Sequence, residues 1–414
     1  MLTRRRFSKY LLAGGAALFA AEGVHPADSL PRVPNQESNG HCDLLIKGGT
    51  VIDPSQQIHR EMDVAIKNGK ILEVSTNYPE SGAAKVVSAR GKIVAPGFID
   101  LHVHCFDGFG GVNADHSCLA KGTTTVVDCG SAGYPLIKGF VKYITNASKT
   151  RVFALVDIGA LGTVMGTKDS MKDLEWVNPD LTAKSANENK PTVVGIKVRL
   201  QKSIQGSNDL ECLKRAREAA EGCHLPMMVH ISDPYSSLPD ILKMMQKGDV
   251  FTHIYNDHPH GILNETGKLL PEVLEARDRG IVMDSAHGRS HFSFDTAEKA
   301  LQQDFLPDTI STDLSDGNIN GPVYDLPTTV SKFMAIGMDL DKAIERVTAK
   351  PASVFNYRSS LGTLQPGSDA DISICELKEG KFEFVDSNQQ KRTGRQRLIN
   401  TAVVCRGQLF VNEA

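Results

Sequence analysis

Eight short apolar segments, separated by stretches with helical periodicity, are the feature that most restricts the fold of this chain. They occupy residues 98–104, 123–129, 151–158, 192–198, 226–231, 250–255, 281–284 and 309–314. Apolar runs of this length are typical of parallel strands that are buried on both faces. Helices are predicted between them, for example at residues 209–222, 237–247 and 270–279. Eight such strand–helix units predict a (β/α)8 TIM-like barrel over residues 96–361.

An open, doubly wound sheet is the alternative arrangement for alternating strands and helices. Such sheets carry a glycine-rich turn after the first strand when they bind a dinucleotide. The sequence has no such turn after residues 98–104. The barrel is therefore the favoured prediction.

Two segments rich in short strands flank the predicted barrel. Residues 42–95 and 362–414 contain apolar runs and glycine turns, and the chain of 414 residues is longer than one hydrophobic core usually supports. Because both segments lie outside the barrel, we expect their strands to pair with each other. The prediction is a small β-sandwich domain built from both ends of the chain.

The first 27 residues differ from the rest of the chain. Arg4, Arg5 and Arg6 precede an apolar run over residues 10–21. A basic segment followed by a short apolar run is typical of a secretory signal, and the paired arginines resemble a twin-arginine signal. A Sec-type signal and an uncleaved anchor are the alternatives. We expect residues 1–27 to be a signal peptide and the mature protein to be periplasmic or secreted, without a stable membrane anchor.

Composition excludes some classes of function. The net charge is −3 and no stripe of basic residues is present, so a nucleic-acid partner is not expected. The eight cysteines form no Cys-x-x-Cys pair, and in a chain of this length they do not indicate a disulfide framework. We expect a small-molecule substrate instead.

Metal-binding and charged residues stand near the carboxyl ends of five predicted strands. They are His102 and His104 on the first strand, Lys197 on the fourth, His230 on the fifth, His253 on the sixth and Asp313 on the eighth. The chemistry of a (β/α)8 barrel is located at this end of the strands. Side chains two residues apart on a strand point the same way, so His102 and His104 can hold one metal ion.

Lys197 needs a separate explanation. A lysine that is buried at the mouth of a barrel must be paired or chemically altered, because an isolated buried charge is costly. There are two structural alternatives to a chemically altered lysine. The aliphatic part of the side chain can be buried while the amine extends to solvent, or the amine can pair with a carboxylate.

As a set, these residues resemble the binuclear amidohydrolase superfamily, in its dihydroorotase-like branch. The segments around them agree, namely Val94-Ala95-Pro96-Gly97 before the histidine pair and Thr348-Ala349-Lys350-Pro351 after the barrel. The resemblance covers residues 42–414. Residues 194–199, 251–256 and 309–314 are similar to the corresponding segments of deacetylase-type members.

The resemblance implies a centre with two divalent metal ions, for which Zn²⁺ is the expected ion. His102 and His104 would bind the first ion, and His230 and His253 the second. A carbamate formed on Lys197 from carbon dioxide would bridge both ions. Asp313 would bind the first ion and transfer the proton.

The implied reaction is hydrolysis by attack of a metal-bridging hydroxide. The substrate would be the acetyl or acyl amide or ester of a small α-substituted carboxylic acid, such as an N-acetyl-amino acid or an acetylated 2-hydroxy acid. A cyclic amidase of dihydroorotase or hydantoinase type is the alternative enzyme. The alternative to an enzyme is a non-catalytic barrel that acts as a binding or interaction protein. The resemblance also implies a homo-oligomer of unspecified size.

Further residues near the strand ends are candidates for substrate binding: Arg199, Tyr255, Asn256, His287 and Arg289. Arg199 is a candidate for the substrate carboxylate, and Tyr255 for the developing oxyanion. Each has a structural alternative, because an arginine in this position also pairs with carboxylates and a tyrosine also packs in a core.

Overall fold

The computed structural model describes residues 41–164, 168–355 and 360–411. The described strands are β1 (Leu44–Asp53), β2 (Ile58–Lys67), β3 (Lys70–Ser75), β4 (Val86–Ser88), β5 (Ile93–Pro96), β6 (Phe98–Val103), β7 (Thr123–Gly133), β8 (Arg151–Asp157), β9 (Val193–Leu200), β10 (Met227–Ile231), β11 (Val250–Thr252), β12 (Val282–Asp284), β13 (Ile372–Val385), β14 (Lys391–Cys405) and β15 (Gln408–Val411). The predicted signal peptide, residues 1–27, lies outside the described residues.

The described α-helices lie mostly between strands β6 and β13. They are α1 (Ala114–Ser117), α2 (Ile137–Phe140), α3 (Pro179–Glu188), α4 (Lys202–Gln205), α5 (Asp209–Cys223), α6 (Leu238–Met244), α7 (Pro271–Asp278), α8 (Phe294–Leu301), α9 (Leu326–Ala335), α10 (Leu340–Glu345) and α11 (Ala349–Val354). Among these helices, none has both the length and the apolar character needed to cross a bilayer.

Strands β6 to β12 form one parallel sheet in chain order. Seven of the eight predicted barrel strands are therefore present, each within a few residues of the predicted range. The eighth segment, residues 309–314, is not a regular strand but makes backbone hydrogen bonds on both sides. Ser285 N donates to Thr309 O at 3.1 Å, and His104 N donates to Leu314 O at 2.8 Å. This segment thus closes the curled sheet between β12 and β6.

Local sequence explains the helices that surround the sheet. Helix α5 buries Cys212, Ala216, Ala219 and Cys223, which recur at three- and four-residue intervals and so form one apolar face. Helix α6 begins after Ser237, whose side chain accepts a hydrogen bond from the Asp240 N–H. All eight cysteines of the chain are buried and free.

The two flanking segments pair with each other as expected, but the predicted β-sandwich is not confirmed. The strand order is β15-β14-β13-β5-β1-β2-β3, with β4 beside β1, so hydrogen bonds connect all eight strands in one sheet. Strand β13 joins the two ends of the chain because it pairs antiparallel to β5, with Ile372 opposite Pro96.

The second sheet is attached to the amino-terminal end of the barrel through buried polar contacts. Arg151, the first residue of β8, forms ion pairs of 3.1 Å with both Asp369 and Asp371. Ser373 Oγ accepts a hydrogen bond from Phe98 N and donates one to Gly122 O. These contacts hold the second sheet at the end of the barrel opposite to the predicted site.

Replacing Arg151 by Met should destabilise the protein by about 3 kcal/mol, because the buried carboxylate of Asp371 loses its ion-pair partner, whereas Asp369 keeps its pair with Lys70. Chemical denaturation, monitored by circular dichroism, measures this loss. The matched control is Lys391→Met, which breaks a pair with Glu383 in which both side chains are more than half exposed. Exposed pairs contribute about 0–1 kcal/mol, so the control should change little. Equal unfolding midpoints for the two variants would contradict the prediction.

Candidate metal centre

The structure brings all six predicted metal-site residues together at the carboxyl end of the parallel sheet. His102, His253 and Asp313 each offer a ligand atom within 4.8 Å of the other two. His104 Nε2 lies 3.3 Å from the same carboxylate, at Asp313 Oδ1. Lys197 Nζ lies 3.1 Å from His102 Nε2, and His230 Nδ1 lies 3.0 Å from His253 Nε2.

Backbone geometry at the strand ends turns two of these side chains inward. His253 follows β11 with φ +67°, and Asp313 has φ +52° in the segment that closes the barrel. Left-handed conformations are uncommon for residues other than glycine and cluster at functional sites. The value at Asp313 is also a physical reason why residues 309–314 do not form a regular strand.

Neighbouring groups fix the orientation of three imidazoles through their Nδ1 atoms. His102 Nδ1 contacts Thr252 Oγ1 at 3.0 Å, and His104 Nδ1 contacts Ser131 Oγ at 2.9 Å. His253 Nδ1 lies 2.9 Å from the carbonyl oxygen of Ala286. A carbonyl only accepts, so His253 carries its proton on Nδ1. Its Nε2 lone pair therefore faces the centre, in the arrangement that metal-binding histidines use.

Burial determines the charge of these imidazoles. It lowers the pKa of His102, His230 and His253 well below the ordinary value, and neighbouring positive groups lower each pKa further. Neutral imidazole is the form that binds a metal ion. In addition, His230 Nε2 is buried and has no hydrogen-bond partner among the described residues. An unpartnered buried nitrogen of this kind is explained by a ligand that completes the site.

Asp313 supplies the negative charge of the centre. Burial alone would raise its pKa, but the electrostatic interaction with the His102 imidazole and the hydrogen bonds with His104 and His291 hold the pKa of this carboxyl well below its usual range. Asp313 is therefore ionised. Four imidazoles and a carboxylate form a nitrogen–oxygen donor set that suits divalent ions such as Zn²⁺.

Lys197 is fully buried beneath this cluster. Its Nζ contacts His102 Nε2 and, at 3.3 Å, Met228 Sδ, so both neighbours are uncharged or cationic groups. Burial lowers the pKa of its amine. The side chain runs against Gly130, where a Cβ atom would lie 2.9 Å from both Cβ and Cγ of Lys197. The structure thus excludes an amine that reaches solvent.

A cavity of about 370 Å³ opens above the cluster. Its lining combines centre residues with groups from the surrounding loops: His104, Phe109, Gly110, Thr163, Lys197, Arg199, Gln201, Ile204, His230, Ser290, His291, Asp313 and Ser315. A space of this size accommodates a small organic acid and its acyl group.

Among the predicted substrate-binding residues, Arg199 lines this cavity. Its Nε donates to Asp157 Oδ2 at 3.1 Å, and its Nη2 donates to Gly162 O at 3.1 Å. Asp157 therefore offsets the charge of Arg199 and fixes its orientation. The structure shows the pairing with a carboxylate that the sequence allowed as the structural interpretation, and substrate binding by Arg199 stays a prediction.

The other four candidates are not among the residues that line this cavity. Tyr255 is fully buried and donates its hydroxyl to Phe305 O at 2.8 Å, so it does not reach an oxyanion. Asn256 Nδ2 donates to two backbone carbonyls. His287 is buried against Phe292 and contacts Lys332 Nζ at 2.7 Å. Arg289 is exposed.

The residue that sequence reasoning missed is His291. Its ring centroid lies 4.2 Å from that of His253 and 4.9 Å from that of His230, and its Nδ1 lies 3.6 Å from Asp313 Oδ2. The sequence shows this histidine four residues after His287, but the prediction selected His287 and Arg289, which lie closer to the end of β12. The chain turns at Gly288, with φ +58°, and this turn redirects the loop toward the centre.

The described residues thus form a curled parallel sheet whose carboxyl mouth holds a cluster of histidines, a buried lysine and an aspartate, and this cluster is a candidate metal site. The family model for the amidohydrolase family matches residues 93–407. The chain belongs to this family and is an enzyme.

Similar proteins with known names agree with this assignment. A deacetylase of Enterococcus faecalis is 36% identical over 375 residues, which cover 89% of this chain and 99% of the relative. A deacetylase of Agrobacterium fabrum is 34% identical, with 78% and 79% covered. A dihydroorotase of Aquifex aeolicus is 26% identical, with 80% of this chain and 89% of the relative covered.

Solved structures show the same fold. A crystal structure of an adenine deaminase has a TM-score of 0.83 and 35% identity, and covers 90% of this chain and 100% of its own. A crystal structure of a dihydroorotase has a TM-score of 0.80 and 28% identity, with 89% and 99% covered.

Replacing Gly288 by Ala should disturb the centre itself. The added Cβ would lie 2.5 Å from Asp313 Oδ2 and 2.7 Å from His291 Nδ1, so the carboxylate has to move. We expect a lower zinc content after dialysis, measured by inductively coupled plasma mass spectrometry. Gly367→Ala is the matched control, because Gly367 also has a positive φ but an added Cβ there meets nothing within 4 Å. Equal zinc contents in both variants would refute the prediction.

Proposed function

We propose that this protein is a metal-dependent hydrolase that removes an acetyl or other acyl group from the amide or ester of a small α-substituted carboxylic acid. The observation that carries the proposal is the buried amine of Lys197, which lies among imidazoles next to the ionised Asp313 and below a cavity of small-molecule size. The deacetylase names of two relatives support the reaction class.

In this proposal the residues of the cluster hold two divalent ions, with Zn²⁺ as the expected ion. His102 and His104 serve one position, and His230 and His253 serve the other. Lys197 carries a carbamate, formed when its neutral amine bonds to the carbon of CO₂ and loses a proton. This modification gives the buried lysine the negative charge that two nearby cations require. Bound divalent ions lower the pKa of water and polarise a carbonyl group.

Asp313 performs the proton transfer in this proposal. Its low pKa keeps the carboxylate ionised, so Oδ1 can accept a proton from the attacking water. The same oxygen then delivers this proton to the nitrogen or oxygen of the leaving group. Arg199, which Asp157 and Gly162 O hold rigidly at the cavity wall, is positioned to bind the substrate carboxylate.

A cyclic amidase is the second candidate function. The likeness to a dihydroorotase structure at 28% identity favours it, because ring opening of a cyclic amide uses the same class of site. A substrate panel separates the two candidates: N-acetyl-D- and N-acetyl-L-amino acids, acetylated 2-hydroxy acids, dihydroorotate and hydantoins. Turnover of the acyl compounds supports the leading proposal, and turnover of the rings alone supports the second candidate.

Lys197→Ala should lose more than about a hundredfold in kcat, because it removes the group that would carry the carbamate and hold the ions. Added acetate or propionate should restore part of the activity, since a small carboxylate fits the space that the side chain leaves. The matched control is Lys202→Ala, which removes a half-exposed lysine paired with Asp233 and should keep full activity. Unchanged activity in Lys197→Ala would refute the mechanism.

Arg199→Lys should raise KM roughly tenfold or more for substrates with a free carboxylate, since a charged hydrogen bond contributes about 1.5–3 kcal/mol. Lysine keeps a positive charge beside Asp157 but loses the planar fork of the guanidinium. The comparison is a substrate in which a primary amide replaces the carboxylate. If KM rises equally for both substrates, Arg199 does not contact the carboxylate.

The cellular location is a separate proposal that rests on the sequence. Arg4 to Arg6 and the apolar run after them support export by a twin-arginine-type signal to the periplasm or beyond. Replacing Arg4, Arg5 and Arg6 together by lysine should retain the protein in the cytoplasm of its host, which cell fractionation measures.

A further inference from the structure

A chain of hydrogen bonds leads from the metal centre into the wall of the barrel. His102 Nδ1 contacts Thr252 Oγ1 at 3.0 Å, and Thr252 Oγ1 donates to Asp284 Oδ2 at 2.7 Å. These side chains come from β6, β11 and β12. His102, Thr252 and Asp284 are all buried. We call these three residues the His102–Thr252–Asp284 chain.

The direction of each hydrogen bond follows from the proton count. A hydroxyl group has one proton, and Thr252 uses it toward the carboxylate of Asp284. Thr252 Oγ1 can therefore only accept from the imidazole, so His102 carries its proton on Nδ1. Its Nε2 then has a free lone pair, and this atom faces Asp313 Oδ1 at 3.5 Å and Lys197 Nζ at 3.1 Å.

Asp284 is held in place by the same segment that closes the barrel. Thr309 Oγ1 donates to Asp284 Oδ1 at 2.7 Å, and Ser311 Oγ contacts both carboxylate oxygens at 2.8 and 2.9 Å. Three hydroxyl groups thus surround one carboxylate, and only that of Thr252 also contacts a residue of the centre. Removing the hydroxyl of Thr252 therefore affects both Asp284 and His102, whereas removing that of Thr309 affects Asp284 alone.

We propose that Thr252 and Asp284 are positioning residues, which fix the tautomer and the ring orientation of His102 so that its Nε2 binds the first metal ion. This inference rests on the proposed metal centre and adds two residues that lie outside it. Groups that orient a metal-binding histidine commonly change metal affinity by roughly 10- to 100-fold when they are removed.

The test compares zinc affinities of the full-length protein by competition with a chromophoric chelator. Thr252→Val keeps the shape of the side chain but removes the hydroxyl, and should weaken zinc binding by roughly 10- to 100-fold. Thr252→Ser keeps the hydroxyl and should retain the wild-type affinity. Thr309→Val removes an equivalent hydrogen bond to Asp284 without touching His102, and should bind zinc as the wild type does.

Two outcomes would overturn the inference. One is wild-type zinc affinity in Thr252→Val, and the other is an equal loss of affinity in Thr309→Val, which would indicate a general effect on the barrel. Failure of the wild-type protein to bind zinc would instead refute the proposed function.

A second measurement does not depend on the variants folding. Nuclear magnetic resonance of the wild-type protein, labelled with ¹⁵N in its histidines, reports which ring nitrogen carries the proton. The inference requires a protonated Nδ1 in His102, and a proton on Nε2 would overturn it.

Discussion

The burial of Lys197 is the constraint on which the rest of the centre depends. An amine without access to water raises the free energy of the folded chain unless it is neutral or converted to a group with suitable neighbours. The atoms that contact the amine here belong to an imidazole and a thioether, so it forms no direct ion pair, and nearby carboxylates such as Asp313 act on it only from a distance. The glycine at position 130 leaves the space through which the lysine stem passes. Burying this amine therefore costs folding free energy, and a purely structural role for Lys197 does not explain that cost.

The walls of the barrel and the centre share residues, so stability and chemistry are coupled. Residues 309–314 close the sheet by hydrogen bonds to strands on both sides, and the same segment carries Asp313. Its irregular backbone conformation turns this carboxylate toward His102 and His104. A regular eighth strand would close the sheet equally well but would point alternate side chains elsewhere. Residues 309–314 therefore depart from regular strand geometry where Asp313 has to face the centre.

Much of the architecture could be predicted from the sequence, because apolar runs and strand alternation are local signals. The six residues of the centre follow directly from strand ends, and the structure brings them together. The irregular eighth segment and the turn at Gly288 are set by tertiary contacts, which leave no periodic signal. For this reason strand alternation selected Tyr255, nearness to a strand end selected His287, both of which point into the core, and neither signal found His291.

The long hairpin formed by β13 and β14 extends from the far end of the barrel to its mouth. At its tip, Ser387 N donates to Phe292 O and Asp386 Oδ2 accepts from Phe294 N, so the hairpin supports the loop that carries His291. During synthesis the hairpin emerges from the ribosome after the whole barrel. Contacts between such distant parts of a chain form slowly. The loop at the mouth therefore acquires its final support only after the hairpin has been synthesised, and a nascent barrel remains without a finished centre until then.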